Sequence, residues 1–419
     1  MSPHKHPLVW AVLLLGIASA AAPLARSAQP RDGGESRAAV FARVHVMTAL
    51  GKQLFSDPAL SGSGAMSCAS CHDPAHAFGP PNNLPVQLGG VDLKTPGYRA
   101  VPSLTYIQDS PPFTEHYFES EDDGDESIDN GPTGGLTWDG RVDRGSAQAS
   151  IPLLSPFEMA NKDETSVVES AIKAGYGPEI AKFGGKDALK DPHKAFAVLL
   201  EAIEDYEQDP ATFYPYTSKY DAYLAGKATL TAQEAHGLDL FNDPAKGDCA
   251  RCHISAPSPT GAAPQFTDRG LIALGLPRNM AIPANADPNW HDLGLCGPFR
   301  TDLKDHPEYC GLFRTPSLRN VAVRTTFFHN GLVHTLEDAI RFYVERDTRP
   351  EKWYPKKADG TVDKYDDLPA QYHANLETDT PFGGKPGDEP PLSESEIADV
   401  AAFLKTLTDG YTPGPTAAK

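Results

Sequence analysis

Two pentapeptides constrain this chain more than anything else in it: Cys68-Ala69-Ser70-Cys71-His72 and Cys249-Ala250-Arg251-Cys252-His253. Two thiols separated by two residues and followed at once by an imidazole are what covalent attachment of a c-type haem requires. Each sulfur takes one porphyrin vinyl group as a thioether, and the adjoining histidine reaches the iron as proximal ligand. The competing use of such cysteines is a structural zinc site built from four thiolates. Zinc gives no reason for a histidine directly after each pair. The expectation is therefore two covalently attached haem c groups, one on Cys68 and Cys71 with His72 on the iron, the other on Cys249 and Cys252 with His253.

The approaches to the two motifs also match. Leu50-Gly51-Lys52-Gln53-Leu54-Phe55-Ser56-Asp57-Pro58 precedes the first, and His236-Gly237-Leu238-Asp239-Leu240-Phe241-Asn242-Asp243-Pro244 the second. Gly, Leu, Phe, Asp and Pro recur at identical spacing, with a period of roughly 180 residues, far too long for a solenoid. The reading is a mainly α fold of two haem domains related by internal duplication, at 38–220 and 229–410, with a boundary within 215–230. The amphipathic segment Ala195–Tyr206 closes the first domain, and Thr231-Ala232-Gln233-Glu234 opens the second as a capping box. Ser393-Glu394-Ser395-Glu396 is another capping box. After it, Ile397, Val400, Ala401, Leu404 and Leu407 share one helical face. Strong strand patterns are absent, and 39 prolines with 36 glycines predict many loops.

Residues 1–28 read as an export signal: Lys5 lies in a short polar start, Leu8 to Ala22 is apolar, and Ala18-Ser19-Ala20 offers a cleavage site. The apolar run is short for a membrane span, retention as an anchor being the other use, and no other stretch could cross a bilayer. Export to the periplasm suits haem c, and it permits a disulfide between the two remaining cysteines, Cys296 and Cys310. A net charge of −19 argues against nucleic acid and anionic membranes; it could steer a basic electron carrier, and it also serves solubility. The acidic run Glu119 to Asp129 reads as a solvated loop rather than a cation site.

The order of further segments resembles the bacterial di-haem cytochrome c peroxidase family, including its MauG-like branch. The matching stretches are Leu50–His72, Thr137-Trp138-Asp139-Gly140-Arg141, Pro156-Phe157-Glu158-Met159, and Phe313-Arg314-Thr315-Pro316-Ser317-Leu318-Arg319-Asn320. Phe327-Phe328-His329-Asn330-Gly331 and Thr335-Leu336-Glu337 complete the set. The resemblance implies two cytochrome c-like domains, a peroxidatic first haem and an electron-transfer second haem. It implies Trp138 as the relay between them, Glu158 as the distal acid/base, and Gln148 as a second distal residue. By spacing alone, Ser155-Pro156-Phe157-Glu158 is a helix capping box. Tyr343 stands fourteen residues after His329, where the peroxidases carry a methionine ligand and the MauG-like branch a tyrosine; no methionine follows Met280. The resemblance makes Tyr343 a ligand of the second iron. Its local pattern, Leu336, Ala339, Ile340 and Tyr343, is that of a core aromatic.

Two departures follow. The family's Arg-Asn-x-Pro reads Arg99-Ala100-Val101-Pro102, which removes an Asn ligand of the interhaem calcium. The loop histidine that caps the resting first haem is replaced by Leu88; His76 is a nearby stand-in or a surface residue. The expected function is reduction of hydrogen peroxide with electrons from a small cytochrome c or cupredoxin. The alternative is MauG-like oxidation of a Trp or other side chain of a protein substrate by the high-valent di-haem state. A third reading, of another class, is a non-enzymatic di-haem electron carrier.

Overall fold

A computed structural model describes residues 36–118 and 128–412. The export signal lies outside these residues, as does the acidic run except for its last two positions. The described chain forms eleven α-helices: α1 (Arg37–Ser56), α2 (Cys68–Cys71), α3 (Gly145–Leu154), α4 (Glu164–Ala171), α5 (Gly177–Gly184), α6 (Pro192–Glu207), α7 (Pro210–Phe213), α8 (Lys219–Leu224), α9 (Ala232–Asn242), α10 (Leu336–Glu345) and α11 (Glu394–Lys405). Among the described residues the strands form two antiparallel pairs of two residues each, Leu88–Gly89 with Thr95–Pro96 and Leu271–Ile272 with Phe313–Arg314. The mainly α expectation holds.

Residues from Arg43 onward pack as one compact unit containing two main helical cores. One joins Leu50 and Leu54 of α1 to Leu153, Val167, Ile180 and the apolar face of α6. The other joins Leu240 and Phe241 of α9 to Ile340 of α10 and to Val400, Phe403 and Leu404 of α11. Both expected capping boxes start their helices, Thr231 with Glu234 at α9 and Ser393 with Glu396 at α11. The stretch read as a domain boundary holds α8, whose Tyr220 packs into the second core. Cys296 and Cys310 are joined as a disulfide, within a third, smaller cluster around Leu295 and Leu312.

The repeated residues do the same work in both halves. A Cβ on Gly51 would lie 1.8 Å from the carbonyl oxygen of Ala202, and one on Gly237 2.0 Å from that of Asp399. Glycine is required because helices cross there at backbone contact, α1 on α6 and α9 on α11. Phe55 and Phe241 are each buried to 1% exposure. Asp57 and Asp243 each accept a hydrogen bond at 2.8 Å from the backbone two residues on, Ala59 N and Ala245 N, closing the turn after the helix.

Candidate active site

Each Cys-x-x-Cys-His lies on its own cavity. Cys68, Cys71 and His72 line the first, and Cys249, Cys252 and His253 the second. Four thiolates therefore do not converge, and among the described residues no group of three or more His, Cys, Asp or Glu could hold a metal ion. That overturns the zinc alternative. Both cavities are lined mainly by apolar side chains, among them Leu104, Ile107 and Leu136 in the first and Phe241, Ile340 and Leu404 in the second.

Both histidines are held alike. His72 Nδ1 is 3.0 Å from the carbonyl oxygen of Phe78, and His253 Nδ1 2.9 Å from that of Phe266. Phe78 and Phe266 carry positive φ of 53° and 54°, a left-handed turn that presents each carbonyl. The rings of Phe55 and Phe78 meet edge-on at 5.7 Å beside the first site, and those of Phe241 and Phe266 at 6.2 Å beside the second. A carbonyl at Nδ1 fixes the tautomer and leaves Nε2 as the nitrogen for a metal. Burial lowers the His72 pKa to about 4 and also lowers that of His253, so each imidazole stands neutral, the form that ligates iron. Burial pushes the four thiols up to about 12, and none forms a disulfide. Two free thiols, a pinned neutral imidazole and a mainly apolar cavity fit one haem in each half.

Glu158, Gln148 and Leu88 all line the first cavity. Glu158 does not cap a helix: Ser155 ends α3, and residues 156–159 form a turn. Pro152 inside α3 and the turn after it aim the chain back at Cys71, whose thiol feels the Glu158 charge. Burial raises the Glu158 pKa, with Ser155 and Arg141 pulling the other way. His76 does not stand in for the loop histidine. It lines the second cavity rather than the first, and its Nδ1 is paired to Asp73 Oδ2 at 2.7 Å.

Tyr343 lines the second cavity, its ring 5.9 Å from Phe328 and 5.5 Å from Phe382. Its stripe-mates Leu336, Ala339 and Ile340 are in the core, whereas Tyr343 is half-buried at the cavity wall. Burial pushes its phenol above the ordinary value. Among the described residues no methionine lines this cavity, while Met66 and Met159 belong to the first core.

Trp138 lines both cavities. Its Nε1 donates to the Ala100 carbonyl at 2.8 Å, and its ring stands edge-on 6.4 Å from His329, which is stacked on Phe313 at 3.4 Å. Ala100 thus offers no side-chain oxygen where the family's pattern has Asn. Beside Trp138, Arg99 bridges the halves with 2.7 Å to Asp139 and 2.6 Å to Asp292.

Four features escaped the sequence. The two phenylalanine carbonyls and the Arg99 bridge carry no local signal. Arg314 lies in the Phe313–Asn320 stretch, whose local pattern does not mark it as a site residue. Glu207, a carboxylate buried to 6% exposure on the first cavity, was visible as a charge on the apolar face of α6.

Known proteins agree with this geometry. A family profile, Di-haem cytochrome c peroxidase, matches residues 45–229. The methylamine utilization protein MauG of Paracoccus denitrificans is 33% identical, with 94% of each chain aligned. Cytochrome c551 peroxidase of Nitrosomonas europaea is 27% identical over 70% of this chain and 71% of its own. The diheme peroxidase BthA from Burkholderia thailandensis superposes with a TM-score of 0.76 at 38% identity, covering 89% of this chain and 88% of its own. With two cavities built alike around two haem-binding motifs, and likeness to MauG along nearly its whole length, the chain belongs to the MauG-like di-haem cytochrome c peroxidase family and is an oxidoreductase.

Proposed function

We propose that this protein is a periplasmic enzyme that reduces hydrogen peroxide at the first cavity, with electrons relayed from the second. Its haem c groups would be attached covalently through Cys68 and Cys71 and through Cys249 and Cys252, with His72 and His253 as proximal ligands. The parallel construction of the two sites supports descent of both halves from one duplicated haem domain. When bound, haem supplies the redox-active iron on which the peroxide bond is cleaved. The chain supplies the proton path and the electron path.

Glu158 is the acid/base. A buried carboxyl of raised pKa can take a proton from the incoming peroxide and return it to the leaving oxygen. Gln148, on the same cavity, orients the oxidant through its amide. Leu88 leaves the first cavity without a capping imidazole. Trp138 is the conduit, and the observation that carries the reading is that this residue lines both cavities at once. No calcium enters the reading. The acidic chain suits a basic electron donor such as a small cytochrome c or cupredoxin.

Tyr343 favours a second use. A phenol on a cavity without methionine makes the second site a poor high-potential reservoir and a better store of oxidising equivalents. In that use the oxidant is spent on a Trp or other side chain of a partner protein. The test is a titration of the diferric protein with stoichiometric peroxide. Fast return to the resting spectrum with a reduced carrier protein, under steady turnover, supports the peroxidase. Long persistence and loss only to protein side chains supports the second use. No spectral response to peroxide sinks both and leaves an electron carrier.

A further inference from the structure

Arg314 is 7% exposed, yet no carboxylate among the described residues lies within ion-pair distance of it. Its Nε donates to the Thr137 carbonyl at 3.1 Å, and its Nη1 has no hydrogen-bond partner. A buried guanidinium left unpaired is costly, and its surroundings make this one costlier. Burial and the neighbouring Arg269 drive its pKa down to about 9. Arg269 has its own carboxylate in Asp109, so it leaves nothing for Arg314. Asp139, the other nearby acid, is committed to Arg99 and Arg141.

Its position says what is missing. Arg314 lines both cavities, one of few residues to do so. It also grips the relay segment from two sides: its backbone N–H donates to the Trp138 carbonyl at 2.8 Å while Nε holds that of Thr137, a residue of φ 70°. A planar fork of donors on a residue that lines both cavities suits carboxylates arriving from both. Haem carries two propionate carboxylates, the anions that filling these cavities would bring.

We propose that Arg314 is a shared clamp for propionates of both haems, tying the two groups and the Trp138 segment into one electrostatic unit. The proposal rests on the two-haem reading. A cation beside both carboxylate edges favours the reduced state of each iron and lets a charge change at one be felt at the other.

The test uses the mature holoprotein and the variants Arg314→Gln and Arg314→Lys. Haem content by the pyridine haemochrome assay comes first; fewer than two haems per wild-type chain would sink the two-haem reading itself and leave Arg314 aside. With two haems present, spectroelectrochemical titration at pH 8 reads each couple. For Arg314→Gln both couples should fall, each changing its oxidised-to-reduced ratio about tenfold at fixed potential, or 59 mV for one electron. Arg314→Lys keeps the charge but loses the fork, so both couples should fall by less. That variant carries the test if the Gln protein loads haem poorly. A shift in one couple alone overturns the shared clamp, and no shift in either overturns any propionate contact.

Discussion

The two cavities are alike up to the helix behind each and then diverge. Gly51 meets Ala202 and the Cβ of Tyr206, while Gly237 meets Asp399 and the Cβ of Phe403, so Tyr206 and Phe403 occupy matching places. The next residue is Glu207 on the first cavity and Leu404 on the second. The side chains facing the haem pockets diverge in the same sense, with Glu158 and Gln148 on the first and Tyr343 among phenylalanines on the second. The residues that would hold a haem recur in both halves, and the two proposed to handle peroxide, Glu158 and Gln148, line only the first cavity. The attachment geometry is a packing requirement and resists change. The polar lining is a matter of single residues.

The largest way to break the contrast is Glu158→Gln. Peroxide consumption at neutral pH should fall by roughly 10²- to 10⁴-fold, with haem content and the spectrum of the second haem unchanged. A loss under threefold would remove Glu158 from the proton path.

The likeness can be attacked next, through Gly51→Ala and Gly237→Ala. Each methyl would enter a backbone contact, at 1.8 and 2.0 Å, so both variants should lose about 3 kcal/mol or more in denaturant unfolding. Equal losses would sharpen the equivalence of the two helix crossings, and a neutral substitution on either side would break it.

Glu207 gives a pH signature tied to the first cavity. Burial, then the nearby Glu204, pushes its carboxyl up to about 8 from an ordinary value of 4.5. Between those values the folded state keeps a proton that the unfolded chain has lost, so this group lowers stability as pH rises through the window. Glu207→Gln should gain on the parent in unfolding free energy from pH 4.5 to 8, by up to about a few kcal/mol, and then hold that gain. A difference independent of pH would show that Glu207 is charged in the fold. Leu404→Gln, its counterpart, should show no such trend.

The smallest expected change is Tyr343→Phe. Removing one hydroxyl from a cavity wall should leave stability nearly intact and alter the electronic and magnetic spectra of the second haem only. An unchanged spectrum returns Tyr343 to a packing role.

Much of this was legible because covalent chemistry and helix crossing impose fixed local spacings. The attachment motifs, the Gly-Leu-Phe-Asp-Pro repeat, the two capping boxes and the apolar faces of α6 and α11 are all set within a few residues of one another. The sequence by itself determined two haem-binding motifs in a mainly α chain, and the identity of the side chains available to serve them. Only the tertiary structure decided that Ser155–Glu158 turns back instead of starting a helix, and that His76 faces the second cavity. It also brought Arg99, Trp138 and Arg314 to one wall and left the Arg314 guanidinium without a carboxylate among the described residues. Those outcomes depend on residues about 40 to 200 positions apart, such as Arg99 with Asp139 and Asp292 or Arg314 with Thr137. No local pattern encodes such pairings, because which cavity a side chain faces is settled when the helices pack.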